Sequence, residues 1–135
     1  MSESHHQQAL DECSVAVIGM AGKFPGADNI EQYWRLLESG SEGIRAFDND
    51  SLEAIPKGLD INDPRHVKSQ GVISDIAYFD APFFNIPPQE AKWLDPQQRL
   101  FLEHCWLALE NAGYDPSTYR EEISVYGGTN LNSYL

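Results

Sequence analysis

Basic residues are the scarce class in this chain. Nine lysines and arginines stand against 21 aspartates and glutamates in 135 residues, a formal net charge of −12. A field of that sign repels polyanions, which argues against a duplex nucleic acid or an anionic membrane surface as partner. Cysteine is also rare. Two thiols in the whole sequence are too few to staple a small secreted scaffold. No apolar run approaches the roughly 20 residues that a membrane-spanning helix requires. Residues 1–12 (MSESHHQQALDE) lack the basic start and apolar stretch of a signal peptide. The expectation is a cytoplasmic chain with reduced thiols, and it contains no internal repeat or low-complexity segment.

Apolar material is sufficient for a packed core. The hydrophobic share of 41% excludes a disordered tail, and the length is that of one ordinary domain. Residues 1–13 read as a polar leader or linker. Order is expected from Ser14, where Ser14-Val15-Ala16-Val17-Ile18-Gly19-Met20 forms a nearly continuous apolar run closed by a glycine-rich turn, Ala21 to Gly26. Such a run suits a strand buried on both faces, as in a parallel sheet. Asp28 and Glu31 have capping-box spacing ahead of a helix over 29–39, in which Ile30, Tyr33, Trp34 and Leu37 recur at helical spacing and Gly40 is the stop signal.

Between Ser41 and Ser74 turn formers interrupt every apolar cluster, so a long loop is predicted there, of the kind used for function or for packing on something else. Phe79-Asp80-Ala81-Pro82-Phe83-Phe84 is an aromatic cluster too dense to leave in water. Pro88 to Trp93 allows a short helical turn. The strongest local signal is Asp95-Pro96-Gln97-Gln98: an N-cap aspartate, a proline at the first helical position and a glutamine at the capping-box position. The helix is expected to run to about Asn111, with Gly113 as its stop. Leu102, Cys105, Trp106, Leu109 and Ala112 give it one apolar stripe, and Leu100, Phe101, Leu107 and Ala108 cover much of the remainder. A helix apolar nearly all round belongs inside a sizeable protein. Ile123 to Gly128 reads as a second short strand.

Candidate chemistry is thin. Gly19-Met20-Ala21-Gly22-Lys23 follows a predicted strand, but a phosphate loop needs four residues between its glycines and a hydroxyl after the lysine, where Phe24 stands. The G-x-G of a dinucleotide fingerprint is absent. Cys105 has His104 beside it, yet neighbours on a helix point about 100° apart, so the pair is not arranged as nucleophile and base. Cys105 is better read as a small core hydrophobe. His5 and His6 lie in a polar tail and are expected to be inert rather than metal ligands. Glu121-Glu122 and Asp48/Asp50 are acidic pairs of the kind found on solvated faces, and Asp80 and Asp95 are turn and cap residues. No H-x-x-x-H, C-x-x-C or G-x-S-x-G spacing occurs.

Four stretches carry a family signature. Val15 to Ala27 (VAVIGMAGKFPGA) resembles the opening strand and turn of modular polyketide synthase ketosynthase domains. Phe79 to Ala91 (FDAPFFNIPPQEA) is similar to that family's aromatic segment. Leu94-Asp95-Pro96-Gln97-Gln98-Arg99-Leu100, with Glu103, Trp106, Ala108-Leu109-Glu110 and Ala112-Gly113-Tyr114-Asp115-Pro116, resembles its long buried helix, and Val125-Tyr126-Gly127-Gly128-Thr129 the strand after it. Two positions depart from the pattern: Asn85 stands where the family has glycine, and Pro87 where it has serine. Losing that serine removes a side-chain cap, typically worth about 1 kcal/mol.

The resemblance implies an α/β chain forming the N-terminal portion, residues 14–135, of a thiolase-like layered fold with an incomplete sheet. It implies the beta-ketoacyl synthase reaction, an acyltransferase chemistry: decarboxylative Claisen condensation of acyl and malonyl units carried on the phosphopantetheine arm of an acyl carrier protein. The implied partners are that carrier, neighbouring synthase domains and a second copy in a homodimer, with no nucleic acid, no membrane and no cofactor bound by the chain itself. The family's nucleophilic cysteine lies in a Thr-Ala-Cys-Ser-type turn beyond the strand at Ile123–Gly128, and its two histidines follow later. Cys13, Cys105, His66 and His104 match none of these motifs. The catalytic, cofactor-binding and metal residues of this chain are therefore all expected to be none, and the isolated chain is expected to be inactive and either prone to aggregate or partly molten. Two other readings stay open at this point: a short docking module derived from a ketosynthase, and a small enzyme using Cys105.

Overall fold

The computed structural model describes residues 14–48, 60 and 62–130. The polar leader, with His5, His6 and Cys13, lies outside the described residues, as does Asp50. Five regular elements occur among the residues described: α1 (Ile30–Glu38), β1 (Ile44–Ala46), β2 (Ser69–Gly71), α2 (Pro88–Ala91) and α3 (Pro96–Asn111). β1 and β2 form an antiparallel ribbon that pairs Ile44 with Gly71, Arg45 with Gln70 and Ala46 with Ser69.

α1 forms where the apolar spacing places it, but its cap sits one residue later than the Asp28/Glu31 reading. Asn29 is the N-cap, and its side chain accepts the Gln32 N–H at 2.9 Å. Gln32 Oε1 in turn accepts the Asp28 N–H at 2.8 Å. The shift leaves both acids with other partners: Glu31 pairs with Arg35 one turn on, and Asp28 accepts the Ser74 hydroxyl and lies 3.6 Å from the Lys23 ammonium. An amide with both a donor and an acceptor end completes this reciprocal arrangement as well as a carboxylate does. Tyr33 stacks on Phe24 with ring centroids 4.0 Å apart, which seats α1 on the preceding turn.

α3 runs over the predicted span. Asp95 Oδ1 accepts the Gln97 N–H at 2.7 Å, Pro96 opens the first turn, and Gly113 follows the helix at φ 80°. The cap is one-sided, because among the described residues the Gln98 side chain makes no return bond to the backbone. Only Ala27, Ala81, Asp95 and Arg99 are buried among the described residues. The apolar stripe of α3 is half-buried rather than enclosed, and Leu107 remains 46% exposed.

The two predicted strands differ most from expectation. Neither residues 14–20 nor residues 123–128 form a ladder, and Val15 and Tyr126 are each 91% exposed. A strand buried on both faces needs neighbouring strands and covering helices, which cannot be drawn from the short ribbon 44–46/69–71. That ribbon itself went unread in the long loop because Ser69-Gln70-Gly71 has neither alternation nor β-branched residues.

Candidate functional site

Although neither apolar segment pairs into a sheet, both are held on α3, one at each end. At the C-terminal end Met20 N–H donates to Asn111 Oδ1 at 3.0 Å. Gly19 passes so close that a Cβ on it would lie 2.8 Å from Ala112 Cβ. At the N-terminal end Asn130 N–H donates to Gln97 Oε1 at 3.1 Å, and a Cβ on Gly127 would meet the Phe101 ring at 3.0 Å. Between them Ile18, Leu109, Tyr114, Tyr119 and Ile123 line an apolar hollow of about 150 Å³. Tyr114 and Tyr119 meet edge to face there, their centroids 5.0 Å apart.

The start of α3 also anchors the aromatic segment. Arg99 is 7% exposed; its Nε donates to the Leu94 carbonyl at 2.8 Å and its guanidinium reaches the Ala77 carbonyl at 3.5 Å. Phe83 packs edge to face on Trp106 at 4.7 Å and on Phe84 at 5.0 Å, and Phe84 stacks on Phe79 at 5.3 Å. Asn85 ends this turn at φ 55°. That is the left-handed region, which asparagine tolerates better than most side chains, and it accounts for asparagine replacing the family's glycine. The Pro87 departure fits as well: α2 has no side-chain cap bond at its N-terminus. Arg99, Lys92, Ile76, Phe79 and Pro96 line an open cleft of about 430 Å³ at this junction.

The candidate reactive groups are not brought together. Cys105 is a free thiol, half-buried on α3. His104 Nδ1 donates to the Leu100 carbonyl at 2.7 Å, which commits the imidazole to its own helix. His66 donates its backbone N–H to Asp63 O at 2.9 Å, remote in sequence from both. Glu121 and Glu122 are exposed, as is Asp48. Asp80 acts as a turn residue, accepting the Phe83 N–H at 3.1 Å. Among the described residues no group of three His, Cys, Asp or Glu side chains is placed to hold a metal, and no helix is long and apolar enough to cross a membrane.

Three carboxyls are held below the ordinary aspartate range, each chiefly by hydrogen bonds. The Ser74 hydroxyl acts on Asp28, with Lys23 adding its charge. The Arg65 guanidinium and N–H act on Asp63, helped by His66. The Ser117 hydroxyl and N–H act on Asp115, with Thr118 contributing. Asp63 and Asp115 sit at turns, where a carboxylate that accepts a backbone N–H closes the bend, whereas Asp28 accepts a hydroxyl from 46 residues further along the chain. None of the three has Cys105 or His104 among its partners.

Comparison with known proteins assigns this arrangement to the N-terminal part of the ketosynthase family. Residues 12–135 match the beta-ketoacyl synthase N-terminal domain, and the chain belongs to that family. It is 41% identical over 128 residues to a component of the phenolphthiocerol/phthiocerol polyketide synthase of Mycobacterium tuberculosis, covering 94% of this chain and 9% of that protein. It is 42% identical over 126 residues to polyketide synthase PksN of Bacillus subtilis, covering 90% of this chain and 2% of that one. The chain thus spans less than a tenth of the length of these relatives. Among solved structures it resembles the ketosynthase from module 6 of the bacillaene synthase of Bacillus subtilis 168, with 41% identity and a TM-score of 0.64 over 76% of this chain and 17% of that one. Ketosynthase twelve of the bacillaene polyketide synthase in Bacillus amyloliquefaciens is similar at 36% identity and a TM-score of 0.61, covering 70% and 17%. The chain corresponds to the N-terminal part of a thiolase-like ketosynthase domain of the polyketide synthase type.

Proposed function

We propose that residues 14–135 contribute a supporting part of a polyketide ketosynthase, with the reacting groups supplied by sequence outside these 135 residues. In the reaction, a thiolate displaces the carrier thiol from an acyl thioester and holds the acyl group. Decarboxylation of a carrier-bound malonyl unit generates an enolate, which attacks the acyl carbonyl and releases the thiolate. The acyl carrier protein brings both units on its phosphopantetheine arm, and neighbouring synthase domains and a second ketosynthase copy complete the assembly. This chain binds no cofactor and does not condense acyl units alone.

The observation that carries the reading is the arrangement on α3. The helix holds an apolar segment at each end, and Val15, Val17, Val125 and Tyr126 are between 66% and 91% exposed. These are strand sequences seated on their helix but lacking the rest of a sheet. Cys105 supports the same reading, since its histidine neighbour is bonded to Leu100 and does not serve it as a base.

The test compares two proteins exposed to the same acyl-N-acetylcysteamine thioester and read by intact mass. One is the 135-residue chain. The other is a chimera in which residues 14–130 replace the matching stretch of the bacillaene module 6 ketosynthase. The chimera should gain one acyl group on the cysteine supplied by its host, and the short chain should gain none. Stoichiometric acylation of the short chain at Cys105, or a chimera that fails to fold, would overturn the proposal.

A further inference from the structure

We draw no further inference here: the strongest candidate, the exposed apolar face that Val15, Val17, Ile18, Val125 and Tyr126 present on the two segments seated along α3, has nothing in the structure to show what covers it.

Discussion

Gly19→Ala should detach the first apolar segment from α3. At Gly19 the space that a methyl group would fill is already taken by the helix: Ala112 Cβ would lie 2.8 Å away and the Ala112 nitrogen 2.9 Å away. These are a small side chain and backbone at the helix C-cap, and the Ala108 carbonyl oxygen of the helix itself is closer still; none can swing aside as the end of a long side chain can. Relief therefore requires residues 18–20 to lift, and the 3.0 Å bond from Met20 N–H to Asn111 Oδ1 is lost with them. An exposed hydrogen bond contributes about 1 kcal/mol, and overpacking adds about 1–3 kcal/mol. The combined cost of about 2–4 kcal/mol corresponds to a rise of roughly 30-fold or more in the exchange rate of the Met20 amide. Hydrogen exchange followed by mass spectrometry or NMR measures this directly. Gly128→Ala is the control, since no atom lies within 4 Å of a Cβ there and its φ is not in the left-handed region. If Met20 exchange is the same in both variants, or is unprotected in the parent chain, the seating of this segment on α3 is refuted.

Asp95→Ala should cost about 1 kcal/mol by freeing the Gln97 N–H, whereas Asp95→Asn should keep most of the cap; helicity by circular dichroism against denaturant separates them, and equal losses would contradict the cap. Asp63 should titrate below the 3.8 of an ordinary aspartate, and Arg65→Met should move its midpoint up, as read by NMR of the carboxyl carbon. The sign follows from a folded pKa below the unfolded one: the stabilisation is present above the unfolded value and is lost as pH falls through the folded value. Ser74→Ala should raise the Asp28 midpoint in the same way while leaving Asp115, held by Ser117, unchanged. Cys105 should react with iodoacetamide far more slowly in the native chain than in denaturant, because it lies half-buried on α3 without a base; equal rates would place the thiol in solvent.

Local signals and long-range ones were unequally legible. The span of α3 could be read because cap, first-turn proline and terminal glycine act within a few residues of one another. The α1 cap was misplaced by one residue, because Asp28 and Asn29 are both good caps. The choice between them depends on Ser74 and Lys23, which compete for Asp28 from elsewhere in the chain. The β1–β2 ribbon was invisible because its pairing joins residues about 25 apart and rests on backbone bonds, with Ser69-Gln70-Gly71 offering no side-chain pattern. The two apolar segments were read as strands from their own composition. Whether such a segment enters a ladder depends on neighbours that local sequence does not encode. As for the site, the poor match of Cys105 and His104 to a nucleophile and base was evident from their adjacency. What could not be seen was that His104 is occupied by the carbonyl one turn back.

The segment from Asp95 to Arg99, the most specific part of the family signature, has a physical explanation almost residue by residue. Asp95 caps the helix, and Pro96 fills a position where no N–H is needed. Gln97 donates its backbone N–H to the cap and accepts the Asn130 N–H on its side-chain oxygen, so a single residue ties the helix start to the last described segment. Arg99 reaches back to the Leu94 and Ala77 carbonyls and joins the aromatic segment to the same turn. A lysine at 99 would keep the charge but lose the planar donors that allow one side chain to reach two carbonyls in different directions. Gln98 alone has no such bond, and its exposed side chain accounts for nothing in the described contacts. The motif is thus a junction where residues 77, 94 and 130 converge on one helical turn. Three of its five side chains, Asp95, Gln97 and Arg99, are held by hydrogen bonds within this chain and Pro96 by the geometry of the first turn, so the signature has a structural basis in the helix start itself.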